Sequence, residues 1–586
     1  MAQEAPAVER PADGARWVNG VEALILLAAP VIAFFALHIA PMTQPHMIDP
    51  YLYSGYIDNG DELLRRFGVN TYFWSRIGFI LPGRAFYLIG GALPGFYLYR
   101  YALALVAILP AYLLLRRMFG RAAGWVAVAV ILTAPVILTA WGDDYPDAGA
   151  VSFLIAGIAC LLMPAAGRRR IGWMAAAGLF AAMAVMAHFV AVLTVAAFGL
   201  AYLVVMTRRL RQRMLLELLG FAVGAAFAAV CLLAASEVAL DHANILRSII
   251  EAINRYRQPA EIAKFHSSTW QFLIYDVYLL VPPAVIAAWA VVALRSRTGA
   301  IRSAEWVLAL GTAGAYLLHV FSQFAGQNWT LEYFLYTSML WAGTSMLIAV
   351  TVARIGLLSR RGVWRWLPLV AVVAVPLLMR PFRDSVQLTF AAAIVVAVLI
   401  PAVSAIARIR RHVAVPGAVA MVGFLAATYV LTTGLPLNRP FFAGQVPYLT
   451  PDYGTTLFGD AGTKVDEYAV AAQMKDVVPR VQAYPGDMLL WWPNGASDAV
   501  NVAAAQYLWV DEALPSDYPS DGTALLSARR PRFLVLIGDG TSSFAAFTAA
   551  LEQQGVQPRL WRDATLSHGS VRIAVRVLEL GVWAPA

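Results

Sequence analysis

Charged side chains are scarce in this chain of 586 residues. Asp, Glu, Lys and Arg make up 13% of it, whereas soluble globular proteins carry about 25%. Hydrophobic residues make up 60%, and the mean hydropathy is +0.65. Apolar stretches of about 20 residues, long enough to cross about 30 Å of hydrocarbon, recur along the chain. This shortage of charge excludes an ordinary soluble domain and predicts a polytopic α-helical membrane protein.

Cysteine is almost absent. The two that occur, Cys160 and Cys231, each lie inside an apolar stretch. Two isolated cysteines exclude a disulfide framework and a cysteine metal site. We expect both side chains to lie in the protein core.

Acidic residues are fewer than basic ones, and the net charge is +9. A basic chain can bind nucleic acid, but here the arginines cluster in short runs between apolar segments. That distribution is typical of the cytoplasmic loops of membrane proteins. We therefore expect membrane lipids as partners and no nucleic acid.

Thirteen transmembrane helices account best for the apolar segments. The long run Trp173–Met206 exceeds the length of one tilted helix, so it is split near His188. Basic runs occupy every connection from an even to an odd helix, which places the N-terminus in the cytoplasm. The predicted helices are about 21–40, 96–115, 122–140, 148–166, two within 173–206, 215–235, 272–294, 305–322, 333–353, 366–379, 386–407 and 413–433.

Three domains follow from this topology. They are a cytoplasmic tail (1–19), a membrane domain (20–434) and an extracytoplasmic α/β domain (435–586). The membrane domain has outer loops at 41–95, 141–147, 236–271 and 323–332. Within the first of these, the run Thr71–Leu93 is broken by Pro82 and Gly83 and predicts one or two amphipathic helices lying at the membrane interface.

The last domain alternates strand-like with helix-like runs. The segment Ile537–Thr541 lacks the lysine and the glycine spacing of a phosphate loop, so it predicts a strand-to-helix turn. The strand-like runs are Met488–Trp492, Phe533–Ile537 and Val571–Leu578, and the helix-like runs are Asp466–Val481, Asp498–Trp509 and Thr541–Gln554.

Acidic side chains recur at the predicted outer ends of the helices, where a carboxylate is costly without a role or a partner. Asp49 follows the first helix next to Tyr51 and Tyr53, which could stack on a sugar or belong to the interfacial aromatic belt. Glu332 precedes the tenth helix. The remaining acids of this group are Asp143, Asp144 and Asp147.

The three aspartates between residues 143 and 147 repel one another unless a cation neutralises them. Asp143 and Asp144 are therefore candidate ligands of a divalent ion, Mg²⁺ or Mn²⁺. Alternatively, Asp147 caps the following helix, or the acids have no specific role and occur here because loops are generally polar.

Basic residues of the outer loops suit a phosphate-bearing ligand through charge-assisted hydrogen bonds. The alternatives are an ordinary amphipathic loop and, for the histidine between the fifth and sixth helices, a packing role. The candidates are His188, Arg255, Arg257, Lys264 and His266.

This arrangement resembles the GT-C superfamily of integral-membrane glycosyltransferases, closest to its protein-mannosyltransferase and aminoarabinose-transferase group. Ile48-Asp49-Pro50-Tyr51 matches the acidic position after the first helix of that group. His188 stands in place of a basic residue in a turn typical of it. Glu332-Tyr333-Phe334-Leu335 lies where many members have Arg-Tyr-Leu-Leu-Pro, without the Arg and the Pro.

The resemblance implies a lipid-phosphosugar-dependent glycosyltransferase in the bacterial inner membrane. It would move a sugar from a polyprenyl-phosphate donor to an envelope lipid, glycan or protein acceptor on the outer face. In this hypothesis Asp49 is the general base, the acids at 143–147 orient the acceptor or a metal ion, and the basic residues bind the donor phosphate. A transporter or flippase, a non-catalytic glycolipid-binding assembly protein, and an envelope polymerase or ligase are the alternatives.

Overall fold

The computed structural model describes residues 20–36, 53–57, 60, 73–142, 145–206, 211–239, 249–250, 254, 277–295, 302–325, 330–331, 334–354, 466, 469–470, 473–477, 488–492, 497, 500, 503, 530–540, 542–553 and 555–580. In the membrane domain these residues form α1 (Gly20–Ala36), α2 (Ile77–Gly90), α3 (Ala92–Phe119), α4 (Arg121–Thr133), α5 (Pro135–Gly142), α6 (Asp147–Leu162), α7 (Gly167–Ala187), α8 (Ala191–Met206), α9 (Arg211–Ala239), α10 (Val277–Arg295), α11 (Ser303–Phe324) and α12 (Ser338–Arg354), with 3-10 turns at Phe73–Ser75 and Phe334–Thr337.

Among the described helices, four are long and apolar enough to cross a bilayer by length and composition. They are α3, α7, α9 and α11, and the bent pair α4–α5 makes a fifth if counted as one span. Several shorter helices are apolar as well. The predicted split of 173–206 is confirmed, because α7 ends at Ala187 and α8 begins at Ala191. The last three predicted helices lie outside the described residues, so the total of thirteen stays a prediction.

Two helices form the centre of this bundle. Every residue of α6 is buried, and so is α12 from Ser338 to Val352. α6 packs against α3, α7 and α12, and α12 also packs against α4 and α10. A helix that is apolar on all sides is buried by its neighbours. The first residue of α6, Asp147, is therefore enclosed by protein.

α7 and α9 approach each other closely at two glycines. A Cβ on Gly178 would collide with the backbone of Phe221, and one on Gly224 with the backbone of Ala175. Small residues allow this backbone approach between membrane helices. The opposite face of α9 is apolar and exposed. Cys231 lies exposed on α9, so the expectation that both cysteines are core residues is wrong for Cys231, whereas Cys160 is buried in α6.

The predicted third helix, 122–140, is two helices. α4 and residues Val136–Gly142 of α5 meet at an angle of 59°. Ala134 between them is extended (φ −66°, ψ 116°), because the residue before a proline is driven out of the helical region. The predicted break at Pro82 and Gly83 is also wrong, since α2 runs through both. Gly83 is buried there against Tyr99 and Ile57.

The helix ends next to the basic runs carry buried ion pairs. At each of them a glutamate of one helix meets an arginine of another, and two of the three clusters include a tyrosine. The clusters are Glu22–Tyr112–Arg116, Arg170–Tyr202–Glu217 and Glu305–Arg354. Pairing of this kind lowers the cost of keeping charge in the protein interior.

The C-terminal part contains α13 (Met474–Val477), β1 (Met488–Trp491), β2 (Phe533–Gly538), α14 (Ser542–Gln553), β3 (Pro558–His568) and β4 (Val571–Leu580). The strand order is β1-β2-β4-β3, with β1 parallel to β2 and the other pairs antiparallel. β1, β2 and β4 lie where the sequence predicts strands, and a turn at 538–540 joins β2 to α14. β3 was not predicted, because most of its side chains are exposed and polar. The boundary at 435 and the side of the membrane stay predictions.

Candidate active site

Two glycines bring three helix ends together. A Cβ on Gly78 in α2 would lie 2.5 Å from the backbone nitrogen of Ala187, the last residue of α7. A Cβ on Gly149 in α6 would lie 3.2 Å from Phe79 and 3.4 Å from the Cβ of Ala187. The starts of α2 and α6 therefore meet at the end of α7.

Three polar side chains flank these contacts. Arg76 lies two residues before Gly78, Asp147 two residues before Gly149, and His188 directly after Ala187. Their exposed fractions are 0%, 0% and 1%. The charge of Arg76 interacts with both Asp147 and His188. We call Arg76, Asp147 and His188 the polar cluster.

Asp147 is the first residue of α6. A negative charge is favoured there by the helix dipole. The residue that caps α6 is Pro146, and no side-chain cap bond is formed, so the alternative that Asp147 caps the helix is wrong. Neither carboxylate oxygen has a hydrogen-bond partner in the described part of the chain. Asp147 is thus a buried acid that interacts with Arg76 and keeps lone pairs available.

Arg76 lies between the turn Phe73–Ser75 and α2. Its guanidinium lies over the ring of Phe189, 4.4 Å from the ring centroid, which is a cation–π contact. Sequence reasoning did not select Arg76 as a site residue. The available signal was a single arginine within the mainly apolar run Phe73–Ile80 of an outer loop.

His188 follows α7 with extended backbone (φ −148°, ψ 122°). Its Nδ1 accepts a hydrogen bond from the backbone N–H of Val190 at 3.3 Å, and its ring centroid lies 4.5 Å from that of Tyr336. In the neutral ring the proton is therefore assigned to Nε2. Nε2 is buried and has no partner among the described residues. His188 thus offers a donor beside Arg76.

Aromatic rings border the polar cluster. Tyr53 is fully buried and packs edge-on against Phe73 (5.3 Å) and Tyr145 (5.1 Å). Tyr145 precedes Asp147 by two residues. The structure therefore places the predicted residue Tyr53 next to the loop that carries Asp147.

A second buried arginine lies in α3. Arg100 donates from Nε to the carbonyl oxygen of Trp141 near the end of α5, at 2.9 Å, and lies 4.6 Å from the ring centroid of Phe96. The indole of Trp141 in turn donates to Ser152 at 2.9 Å. Sequence reasoning missed Arg100 as well, although an ionisable residue inside an apolar helix is a recognised signal of function.

The other predicted site residues lie outside the described residues. They are Asp49, Tyr51, Asp143, Asp144, Arg255, Arg257, Lys264, His266 and Glu332. Within the described ranges, no three His, Cys, Asp or Glu side chains are grouped as a metal site. Asp147 therefore has no described co-ligand for a divalent ion, and no chemical step is assigned to one.

A comparison with known protein families bears on this site. The family model of dolichyl-phosphate-mannose-protein mannosyltransferases matches residues 83–233, which include Asp147 and His188. No curated protein sequence matches the chain significantly.

Solved structures match nearly the whole chain. ArnT from Cupriavidus metallidurans in the apo state is 17% identical, with 95% of this chain and 98% of that chain covered and a TM-score of 0.50. The same protein bound to undecaprenyl phosphate is 16% identical (96% and 98% covered, TM-score 0.48). The archaeal oligosaccharyltransferase AglB from Archaeoglobus fulgidus is 13% identical (92% and 72% covered, TM-score 0.40). The predicted resemblance to the GT-C superfamily is confirmed, and the chain has the fold of ArnT.

Proposed function

We propose that this protein is a membrane glycosyltransferase that moves a sugar from a polyprenyl-phosphate donor to a lipid, glycan or protein acceptor. The observation that carries the proposal is the buried guanidinium of Arg76, whose charge interacts with both Asp147 and His188 where three helix ends meet. ArnT, whose fold this chain shares, has been solved with bound undecaprenyl phosphate.

Arg76 and His188 bind the donor phosphate in this proposal. A guanidinium and an imidazole N–H form charge-assisted and neutral hydrogen bonds to phosphate oxygens. Both side chains are already fixed by packing, Arg76 on Phe189 and His188 on Tyr336, so little side-chain freedom is lost on binding. The outer-loop residues proposed to complete the site are Arg255, Arg257, Lys264 and His266.

The chemical step needs a base and a stabilised leaving group. The acceptor hydroxyl attacks the anomeric carbon, and Asp49 takes up its proton as general base. The bond from that carbon to the phosphate oxygen breaks, and the electron pair leaves with the lipid phosphate. Arg76 stabilises the charge that develops there. Asp147 positions Arg76 and orients the acceptor, and Tyr51, Tyr53 and Glu332 border the acceptor side.

A divalent cation, Mg²⁺ or Mn²⁺, held by Asp143 and Asp144 would add positive charge near the leaving phosphate.

The proposed setting is the bacterial inner membrane with a cytoplasmic N-terminus. The polar cluster then lies at the outer face, since the helix ends with the three buried ion pairs lie at the opposite end, beside the basic runs.

A transporter or flippase for a lipid phosphate remains the second candidate, because the 59° break between α4 and α5 is a feature of broken spans. The two candidates differ in whether the bond between sugar and phosphate is cleaved. A non-catalytic assembly protein would bind the donor without cleaving that bond.

The test is sugar transfer in membranes supplied with a panel of labelled polyprenyl-phosphate sugars. Wild type is compared with Asp49→Asn and Arg76→Gln, with Arg532→Gln in the C-terminal part as the control variant. We expect wild type and the control to release bare polyprenyl phosphate from one donor, and Asp49→Asn and Arg76→Gln to release at least 100-fold less. Donor movement across the membrane without cleavage by wild type would favour the flippase.

A further inference from the structure

Arg100 of α3 contacts both flanks of the segment that carries the three aspartates. Before that segment, its Nε donates to the carbonyl oxygen of Trp141 at 2.9 Å. After it, the guanidinium carbon lies 5.1 Å from the ring centroid of Phe79, and a Cβ on Gly149 of α6 would lie 3.2 Å from the same ring. We call residues 142–147 the acidic segment, and its aspartates are Asp143, Asp144 and Asp147.

Trp141 is also bonded to the helix that follows the acidic segment. Its indole N–H donates to Oγ of Ser152 in α6 at 2.9 Å, and Ser152 donates to the carbonyl oxygen of Ala148 at 2.8 Å. Trp141 and Ser152 are both buried. The two flanks of the acidic segment are therefore bonded to each other, which restricts the positions that its acids can take.

The ring of Trp141 contacts α1 as well. It packs edge-on against Phe34, with 6.0 Å between the ring centroids. Further along the chain, Tyr53 packs against Tyr145 of the acidic segment at 5.1 Å. In the sequence Asp49 lies between Phe34 and Tyr53, and both of these residues contact the acidic segment or its flank. The position of Trp141 therefore affects both groups of acids that the proposed reaction uses.

The surroundings of Arg100 hold its charge inside the bundle. The side chain is fully buried, within an apolar helix that is long enough to cross the membrane. An ionisable residue at such a place is by default a sign of function. Three aromatic rings lie within 5.3 Å of the guanidinium carbon and stabilise the cation, and they belong to Phe79, Phe96 and Tyr99.

Arg170 makes a similar backbone contact at a different place. It is a buried arginine that donates to the carbonyl oxygen of Met163 at 3.1 Å. Met163 follows α6 at the end opposite to Asp147, beside a basic run, and Arg170 also pairs with Glu217 at 3.4 Å. Arg170 therefore has a structural role away from the proposed site, whereas the backbone contact of Arg100 adjoins the acidic segment.

We infer that Arg100 is a positioning residue for sugar transfer, which holds the acidic segment in place through the carbonyl oxygen of Trp141. This inference rests on the proposed function, in which the acids at 143–147 orient the acceptor. Arg76 and His188 bind the donor phosphate in that proposal. Arg100 therefore acts on turnover and not on donor binding.

Three variants of Arg100 separate the backbone bond from packing and charge. Arg100→Met keeps a long side chain without a donor. Arg100→Gln places an amide N–H as many bonds from Cα as the Nε of arginine, without the charge. Arg100→Lys keeps the charge and places its donor one bond farther out. Arg170→Met is the matched control, because it also removes a buried arginine that donates to a backbone carbonyl.

A further variant serves if Arg100→Met does not fold. Trp141→Phe keeps an aromatic ring and removes only the indole N–H that bonds Ser152. All variants are purified as the full chain in detergent, and the folded molecules are counted by binding of labelled bare polyprenyl phosphate. Turnover per binding site is measured with the donor that wild type cleaves, and hydrogen exchange is measured over residues 141–148.

We expect Arg100→Met to lose about tenfold or more in kcat, because a small displacement of an orienting group is costly. Its Kd for polyprenyl phosphate should stay within about twofold of wild type, and exchange over 141–148 should be faster. Arg100→Gln should regain most of the lost kcat. Trp141→Phe should change kcat and exchange in the same direction as Arg100→Met, whereas Arg170→Met should match wild type in both.

A kcat of Arg100→Met equal to that of wild type overturns the inference. Recovery by Arg100→Lys without recovery by Arg100→Gln also overturns it, since charge and not the backbone bond would then be responsible. A loss of donor affinity as large as the loss of kcat would assign Arg100 to the donor site instead. If wild type cleaves no donor, the proposed function is contradicted, and unchanged exchange in Arg100→Met and Trp141→Phe then overturns the positioning role independently.

Discussion

Gly78 of α2 lies so close to Ala187 of α7 that a Cβ on the glycine would be 2.5 Å from the backbone nitrogen of Ala187. Since Arg76 and His188 are within two residues of this contact, it fixes the spacing of the polar cluster. The neighbouring atoms are backbone, including the carbonyl oxygen of Met183 at 2.6 Å, and cannot rotate away.

Gly78→Ala should therefore separate α2 from α7. We expect the free energy of unfolding to fall by about 1–3 kcal/mol, the usual cost of overpacking, and donor affinity to fall with it. Gly172→Ala in α7 is the control, because nothing lies within 4 Å of the added Cβ there. Thermal unfolding in detergent and donor binding measure both effects, and equal behaviour of the two variants would contradict the prediction.

Arg76 and Asp147 should be energetically coupled. Removing one member of a buried pair leaves the other charge uncompensated, at a cost of about 3–5 kcal/mol. We expect Asp147→Asn and Arg76→Met each to destabilise the protein, and the double variant to be less destabilised than the sum. A double-mutant cycle on unfolding free energies should give a coupling of about 1–3 kcal/mol, and additivity would show that the two side chains act independently.

The ion pair of Glu305 and Arg354 should stabilise the fold without contributing to transfer. Its N–O distance is 2.6 Å, and the exposed fractions of the two side chains are 0% and 6%. Glu305→Gln should lower the unfolding free energy by about 3–5 kcal/mol while the surviving folded protein keeps its donor affinity. Glu579→Gln is the contrast, because its partner Arg532 is 61% exposed and such pairs contribute about 0–1 kcal/mol.

A pH dependence is expected in the C-terminal sheet. Asp466 accepts hydrogen bonds from Nδ1 of His568 (2.9 Å) and from the backbone N–H of Ser570 (3.1 Å), which hold the β3–β4 turn. The bond from His568 is the main cause that lowers the pKa of Asp466 below its usual 3.8. A lowered pKa means that the carboxylate stabilises the fold above about pH 4, and that this stability is lost as the pH falls through the folded-state pKa.

Hydrogen exchange of the β3–β4 turn measures that effect in the full chain. Asp466→Asn should speed exchange at pH 7 relative to wild type, and the difference should shrink as the pH falls below about 4. Asp563→Asn serves as the control, since its bond to Arg576 joins the same two strands away from the turn. A difference between wild type and Asp466→Asn that persists unchanged into acid would contradict the assignment.

The sequence predicts features set by local hydrophobicity and fails on those set by packing. The helices around His188 and the strands β1, β2 and β4 follow from apolar runs and from the polar and turn residues that separate these runs. The sequence does not mark Arg76 as a site residue, because Asp147 and His188 are 71 and 112 residues away from it. Only the contacts of Gly78 and Gly149 bring these parts of the chain together. Composition cannot show which glycine is at a helix contact.

The hydroxyl of Thr194, which has no hydrogen-bond partner among the described residues, likewise could not be recognised from sequence patterns. Thr194 and Thr351 have the same side chain in similar apolar helices, and they differ only in whether the hydroxyl finds the carbonyl four residues earlier. The bend at Ala134 could have been predicted from the sequence, since Pro135 follows it. The polar strand β3 could not have been predicted, because it is recognised only by its pairing with β4.

The exposed position of Cys231 on α9 has a practical consequence. The chain holds two thiols, and the other, Cys160, is enclosed in α6. A lipid-soluble maleimide should therefore label a single position without any engineered cysteine. A spin label or fluorophore attached there would report on the exposed surface of α9.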